Sequence, residues 1–140
     1  MKKLPYEDYC KLITIAPVLC VDVILREPDS GKYILFRREN EPLKGEWWVV
    51  GGRVEKGEEI DDAVRRKLME EIGTFKFSTP NFLGGYYEDF FEFSSVGRGA
   101  YHTVSLVFEA TVDPKNIRLD NQHSAWKLVD ELPLQFKVKR

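Results

Sequence analysis

The chain has 140 residues, 43% of them hydrophobic, and this length predicts a single domain spanning residues 1–140. A chain of this size buries enough surface to fold without disulfides or a structural metal. Its 21 basic and 23 acidic residues leave a net charge of −2, which excludes the basic excess expected of a protein that wraps a nucleic-acid polymer. A small anionic ligand is compatible with this balance, because such a site needs only a few well-placed charges.

The sequence has no feature typical of a secreted or membrane protein. The two cysteines, Cys10 and Cys20, stand in no CxxC or Cys/His spacing, so we expect reduced thiols. The longest apolar stretch, residues 13–25, contains Asp22 and is too short to span a bilayer. We therefore expect a cytoplasmic protein with no membrane segment.

The predicted elements alternate between helices and strands. In chain order they are a helix over 5–14, strands over 16–25 and 33–38, a short strand over 47–50 ended by two glycines, a helix over 59–72, strands over 82–93 and 103–112, and a last strand over 126–129. Strands flanked by helices, with hairpins among them, predict an α/β fold: a mixed β-sheet in an α/β/α sandwich.

One residue breaks the pattern of the helix over 59–72. Glu71 falls within the apolar arc of the helical wheel, and Lys67 lies at the edge of the same arc. A carboxylate on a core-facing arc is costly unless it is paired or binds a cation. Glu71 either forms an ion pair with Lys67 or points at a ligand site beside Gly51 and Gly52, and periodicity does not distinguish the two.

The segment from Gly52 to Gly73 reads G-x5-E-x7-R-K-L-x-E-E-x-G and resembles the Nudix box, the signature of hydrolases that act on nucleoside diphosphates linked to another moiety. The resemblance implies a Nudix-type sandwich with a loop–helix–loop whose acidic helix holds a divalent cation against a pyrophosphate. The expected ion is one Mg²⁺ per subunit, with Mn²⁺ as an alternative.

The box departs from the family pattern at two positions. Thr74 stands where a bulky aliphatic residue is usual, which is a minor change. Lys67 replaces the first glutamate of the Arg-Glu-x-x-Glu-Glu core, and an ammonium can neither bind a metal nor accept a proton from water. Either the activity is lost, or the cations are fewer and the general base lies elsewhere.

Similarity to one branch, GDP-mannose mannosyl hydrolase, extends beyond the box. The segments that carry it are Tyr6-Glu7-Asp8-Tyr9, Leu35-x2-Arg38-x-Asn40-x-Pro42, Gly45-x-Trp47 onward, and Leu119-Asp120-x-Gln122-His123 with Trp126 following. The resemblance implies that water attacks the anomeric carbon, so that the bond between sugar C1 and oxygen breaks and GDP and free sugar are released with inversion.

The resemblance also implies roles for the residues near this centre. His123 would be the general base, since an imidazole titrates near neutrality. The Mg²⁺ ligands would be the Gly51 carbonyl, Glu71 and Gln122. Glu70 lies on the more exposed flank of the helix and is secondary to Glu71.

Further roles concern the substrate. Arg38 and Arg53 would face the diphosphate, because guanidinium groups match phosphate oxygens. Asp22 would orient Arg38 or contact the sugar. Tyr9 would stack on guanine across the interface of a homodimer.

Two positions are less settled. His102 is assigned equally to packing and to substrate contact. Thr103 stands where the branch has a tyrosine that assists the leaving group.

Three hypotheses follow. The first is a Mg²⁺-dependent hydrolase of GDP-mannose or GDP-glucose, acting on a small nucleotide sugar. The second moves the cut to the P–O–P bond, as in a Nudix pyrophosphohydrolase. The third is a Nudix module that binds a nucleotide sugar without hydrolysing it.

Overall fold

The computed structural model describes residues 4–39, 44–91, 101–119 and 123–140, with the side chains of all but residues 91, 101, 123 and 124. In these ranges the chain forms helices α1 (Tyr6–Ile15) and α2 (Ile60–Ile72) and a short 3-10 helix (Pro114–Asn116). The strands are β1 (Val18–Arg26), β2 (Tyr33–Arg38), β3 (Trp47–Trp48), β4 (Val50–Arg53), β5 (Asn81–Phe91), β6 (Tyr101–Thr111) and β7 (His123–Val129).

The strands form one mixed sheet. Its order is β3-β2-β1-β6-β5, with β4 added to β1 and β7 added to β2. The pairing of β1 with β6 is parallel, and the other pairs are antiparallel. β1 is therefore the central strand, with partners on both sides.

The two helices cover opposite faces of this sheet. α1 packs through Ile13 against Val18, whereas α2 belongs to the cluster that contains Val21 and Val23. Because side chains alternate along a strand, these positions of β1 point to opposite faces. The expected α/β/α sandwich with a mixed sheet is confirmed.

The prediction of one strand over 47–50 that ends at two glycines is wrong. Residues Trp47–Trp48 pair with β2, and the chain then crosses to β1, where Val50–Arg53 form a separate strand. The glycines lie inside β4 because the edge of β1 supplies new backbone partners. As a result Gly51 lies opposite Asp22, and Gly52 lies opposite Val21.

α2 carries the acidic side chains of the site on a helix anchored in the core. Val64, Leu68 and Ile72 are fully buried on its inner face, as the periodicity predicts. The helix ends at Gly73, whose φ of 70° is left-handed and whose N–H bonds to the Met69 carbonyl. Glu71 is only 1% exposed and lies within this apolar face.

In the part of the chain that the structure describes, no helix is long and apolar enough to cross a membrane.

Candidate functional site

The centre of the site is the contact between α2 and β4. The Gly51 N–H donates a hydrogen bond of 3.1 Å to Oε2 of Glu71. A side chain at position 51 would overlap with Oδ1 of Asp22 and with the Val21 carbonyl oxygen. Glycine is therefore needed at this position so that the carboxylates of Glu71 and Asp22 can both approach the same stretch of backbone.

Lys67 provides the positive charge beside Glu71. Its Nζ lies 3.4 Å from Oε1 of Glu71 and 3.1 Å from Oε2 of Glu70. The aliphatic part of Lys67 lies on Gly52, where a Cβ would overlap with the lysine Cε. Glu71 pairs with Lys67 through one oxygen, as the first interpretation of the sequence expected, and reaches the Gly51 N–H through the other. The ligand site beside Gly51 stays a prediction.

Asp22 is a second buried carboxyl group on the central strand. It is 8% exposed, and burial raises its pKa to about 7. A hydrogen bond with Ser105 and the charge of Arg38 act in the opposite direction, whereas the charges of Glu71 and Asp89 raise the pKa further. Asp22 therefore keeps its proton to a higher pH than an exposed aspartate does.

Polar side chains of β5 and β6 extend this face of the sheet. Asp89 lies opposite Thr103, and Tyr87 lies opposite Ser105, so that all four side chains share one face. The Tyr87 hydroxyl donates a hydrogen bond of 2.9 Å to Oδ2 of Asp89. Tyr87 and Asp89 are not among the site residues predicted from the sequence. Their spacing of two residues was the available signal, because it places both on the same face of a strand.

Arg53 is held by α1 and by the segment after β4. Its guanidinium lies over the ring of Tyr9, 4.7 Å from the centroid, and donates a hydrogen bond of 3.0 Å to Oε2 of the buried Glu55. Burial raises the pKa of the Tyr9 phenol. Tyr9 and Arg53, predicted as separate substrate contacts, are therefore brought together within one chain.

The loop before α2 is fastened to the helix by an ion pair. Arg66 contacts Glu58 through two hydrogen bonds of 2.7 and 2.9 Å, and it also donates to the Arg53 carbonyl. The hydrogen bond with Arg66 lowers the pKa of Glu58. Arg66 also reaches Glu70, whose side chain is about half exposed at 49%. These contacts fix the loop against β4.

His102 lies apart from the Asp22 face. It neighbours Thr103 on β6 and so points to the opposite face of the sheet. Its ring stacks on Phe90 with centroids 4.3 Å apart, and Nε2 lies 2.7 Å from Oε2 of Glu88. These contacts favour the packing role of the two that the sequence left open.

The predicted general base is only partly described. Arg38 ends β2 and pairs in register with His123, which begins β7. The backbone of His123 therefore lies beside Arg38, while its side chain and the whole of Gln122 lie outside the described residues. The roles of both stay predictions.

The donors around Gly51 fit a hard divalent cation. Glu71 is a buried carboxyl group beside the backbone of Gly51, and carboxylate and carbonyl oxygens of this kind suit Mg²⁺. Among the residues described, no three His, Cys, Asp or Glu side chains form a metal-binding cluster. Few protein ligands are typical of Mg²⁺, which is commonly completed by water and substrate phosphates.

The sequence of this chain is similar to a known domain family and to an archaeal protein. The profile of the NUDIX domain matches residues 16–139. The chain is 35% identical over 129 residues to the low-salt glycan biosynthesis protein Agl8 of Haloferax volcanii, an alignment that covers 91% of this chain and 80% of that protein.

Two further similarities are more limited. Identity to the ADP-ribose pyrophosphatase of Methanocaldococcus jannaschii is 36% over 93 residues, which covers 66% of this chain and 49% of that protein. The crystal structure of a MutT protein from Methanosarcina mazei Go1 matches with a TM-score of 0.63 at 24% identity, covering 81% of this chain and 78% of that one. At this identity the structural match supports the fold alone.

Proposed function

Because the chain belongs to the Nudix hydrolase family, we propose that it hydrolyses a GDP-sugar, GDP-mannose or GDP-glucose, at the bond between sugar C1 and oxygen. Water adds to C1, the C1–O bond breaks, and the bonding electrons leave with the β-phosphate. The products are GDP and free sugar. The substrate is a small anion, in keeping with the balanced charge of the chain.

One observation supports cleavage of the C1–O bond rather than of the P–O–P bond. The Lys67 ammonium faces Oε2 of Glu70 and Oε1 of Glu71, so that these two carboxylates of α2, the helix of the Nudix box and hereafter the box helix, are engaged by a cation of the protein itself. A nearby ammonium favours the ionised form of a carboxylate and so makes it a poorer base for water that attacks a phosphate. In the proposed reaction a general base outside the helix, beside the sugar, accepts the proton of the attacking water instead.

The residues then divide the work. His123 accepts the proton of the attacking water, and Arg38, in register with it, binds the diphosphate. Arg53, held over Tyr9, binds the same group from the side of α1. Asp22 orients Arg38 or accepts a sugar hydroxyl.

The family generally uses a divalent metal such as Mg²⁺. In this chain Glu71 and the Gly51 carbonyl would hold it, with Gln122 as a further ligand and Glu70 as an outer one. The ion would supply positive charge to the departing diphosphate.

The choice of a sugar nucleotide has support from a relative. Agl8 of Haloferax volcanii is named for glycan biosynthesis, and its alignment extends over 91% of this chain. Glycan biosynthesis consumes sugars activated as nucleotide derivatives, so a nucleotide sugar is a chemically reasonable substrate here.

A second candidate is cleavage of the P–O–P bond. The identity to an ADP-ribose pyrophosphatase favours it, as does the retention of Glu58, Glu70 and Glu71. In this case a nucleoside monophosphate and a sugar phosphate would be formed, and the base would again lie outside the box helix.

One assay separates these functions. The protein is incubated with GDP-mannose and Mg²⁺ in ¹⁸O-labelled water, and the products are identified by phosphorus NMR and mass spectrometry. GDP with the label in free mannose supports the proposal. GMP with sugar phosphate supports the second candidate. Binding without turnover supports a module that does not hydrolyse its ligand. GDP-glucose and ADP-ribose serve as comparison substrates.

A further inference from the structure

Lys67 forms ion pairs with both Glu70 and Glu71. Its Nζ lies 3.1 Å from the first carboxylate and 3.4 Å from the second. Its side chain is 13% exposed, compared with 49% for Glu70 and 2% for Glu71. The ammonium is therefore held between a buried carboxylate and a half-exposed one.

Lys67 packs against the strand beneath it. Its Cδ, Cε and Nζ all lie where a side chain at position 52 would be, so the lysine uses the space that Gly52 leaves open. A long side chain that is packed along its stem loses little further freedom when its charged end is paired. Lys67 is thus a built part of the site rather than a solvated surface charge.

The three glutamates of the box and the cations paired with them show what Lys67 does. Glu58, Glu70 and Glu71 are faced by Arg66 and Lys67, which leaves one net negative charge. A carboxylate at position 67 would leave three. Such a concentration of negative charge attracts divalent cations and is stabilised when they bind.

We propose that Lys67 is a resident counter-cation: its ammonium takes the place of a divalent cation between Glu70 and Glu71 and sets how many metal ions the helix binds. This deepens the proposed function, because it explains why one metal ion, completed by the substrate phosphates, is enough. It also makes Lys67 the positioning residue that holds Glu71 toward Gly51.

Titration with Mn²⁺ alone tests this, with bound and free ions distinguished by electron paramagnetic resonance. A bound Mn²⁺ ion is counted as belonging to the site if the wild-type protein binds it and the Glu71→Gln variant does not. We expect at most one such ion in the wild-type protein and one additional ion in Lys67→Glu. Lys67→Met keeps the aliphatic stem but removes the charge that repels the metal. We therefore expect it to bind Mn²⁺ about tenfold more tightly than the wild-type protein, without an additional ion.

Arg65→Glu is the matched control. It makes the same change of charge on the same helix at an exposed position, and we expect the wild-type number of ions and nearly the wild-type affinity. Two or more ions at the wild-type site, or unchanged affinity in Lys67→Met, would overturn the proposal. These two results stand even if Lys67→Glu does not fold, which circular dichroism would reveal. The measurement contains no nucleotide sugar, so its outcome is independent of the hydrolysis assay.

Discussion

Oε2 of Glu71 accepts the Gly51 N–H at 3.1 Å and thereby joins the box helix to the central part of the sheet. Its other oxygen, Oε1, faces the Lys67 ammonium. Helix and strand are thus positioned by the same carboxylate that is expected to bind the cation.

Replacing Glu71 by glutamine tests that double role. The amide oxygen can still accept the Gly51 N–H, so the fold is retained, but the negative charge is lost. We expect the Mg²⁺ concentration for half-maximal activity to rise at least about tenfold. Glu70→Gln, at the half-exposed neighbouring position, is expected to have a much smaller effect. An unchanged requirement in Glu71→Gln would mean that pairing with Lys67 is the only function of this residue.

His123→Gln addresses the proposed base. We expect turnover to fall by about two orders of magnitude or more, with little change in KM, because the amide cannot accept the proton. His102→Gln is the control, since His102 lies on the opposite face of the sheet from Thr103 and contacts Phe90. Near-normal turnover of His123→Gln would contradict the assignment of His123 as the general base.

The two adjacent glycines of β4 should respond differently to alanine. A methyl group at Gly51 meets the Val21 carbonyl, which cannot move without disturbing the sheet. The atoms nearest to a methyl group at Gly52 belong to the end of the Lys67 side chain, which can move aside. We expect Gly51→Ala to lower the free energy of unfolding by about 1–3 kcal/mol and Gly52→Ala by less.

Urea unfolding measures both. Lys67→Ala combined with Gly52→Ala should cost less than the sum of the two single changes, because the lysine no longer obstructs the methyl group. Equal losses for the two glycine variants would contradict the geometry described.

Asp22 should make stability depend on pH. Its pKa in the folded protein is raised to about 7, so between about pH 4 and pH 7 the folded state binds more protons than the unfolded one. The free energy of unfolding therefore falls as pH rises through this window, by at most about 1.4 kcal/mol per pH unit from this group. The groups that act on Asp22 are Ser105, Arg38, Glu71 and Asp89.

Asp22→Asn should remove this dependence of the free energy of unfolding on pH. Urea unfolding at several pH values, with a chelator present to exclude divalent cations, provides the measurement. Asp29→Asn, in an exposed turn, is the control and should keep the wild-type slope. A slope that survives in Asp22→Asn would assign the effect to another group.

The sequence predicted the box helix well and its surroundings less well. The buried positions of α2, including Glu71, follow from a period of 3.6 residues, which is a local property. The strand pairing is not local: the move of β4 to the edge of β1 places Gly51 opposite Asp22, and no spacing in residues 47–53 indicates it.

The side of the sheet on which a residue lies depends on the same pairing. His102 and Thr103 are adjacent in sequence, yet only the register of β5 and β6 shows which of them shares a face with Asp89. Tyr87 and Asp89 were missed because aromatic residues surround them, and these obscure the alternation that a strand with one polar face would otherwise show.

The parallel pairing of β1 with β6 also affects how the protein is made. Val18 pairs with Thr103, so the central strand of the sheet meets its partner only after most of the chain has been synthesised. Contacts between distant parts of a sequence slow folding, and a strand that waits for its partner leaves its edge exposed to other chains. During translation the edge of β1 that pairs with β6 therefore stays unpaired until β6 emerges, and the part of the candidate site that β6 supplies cannot form before then.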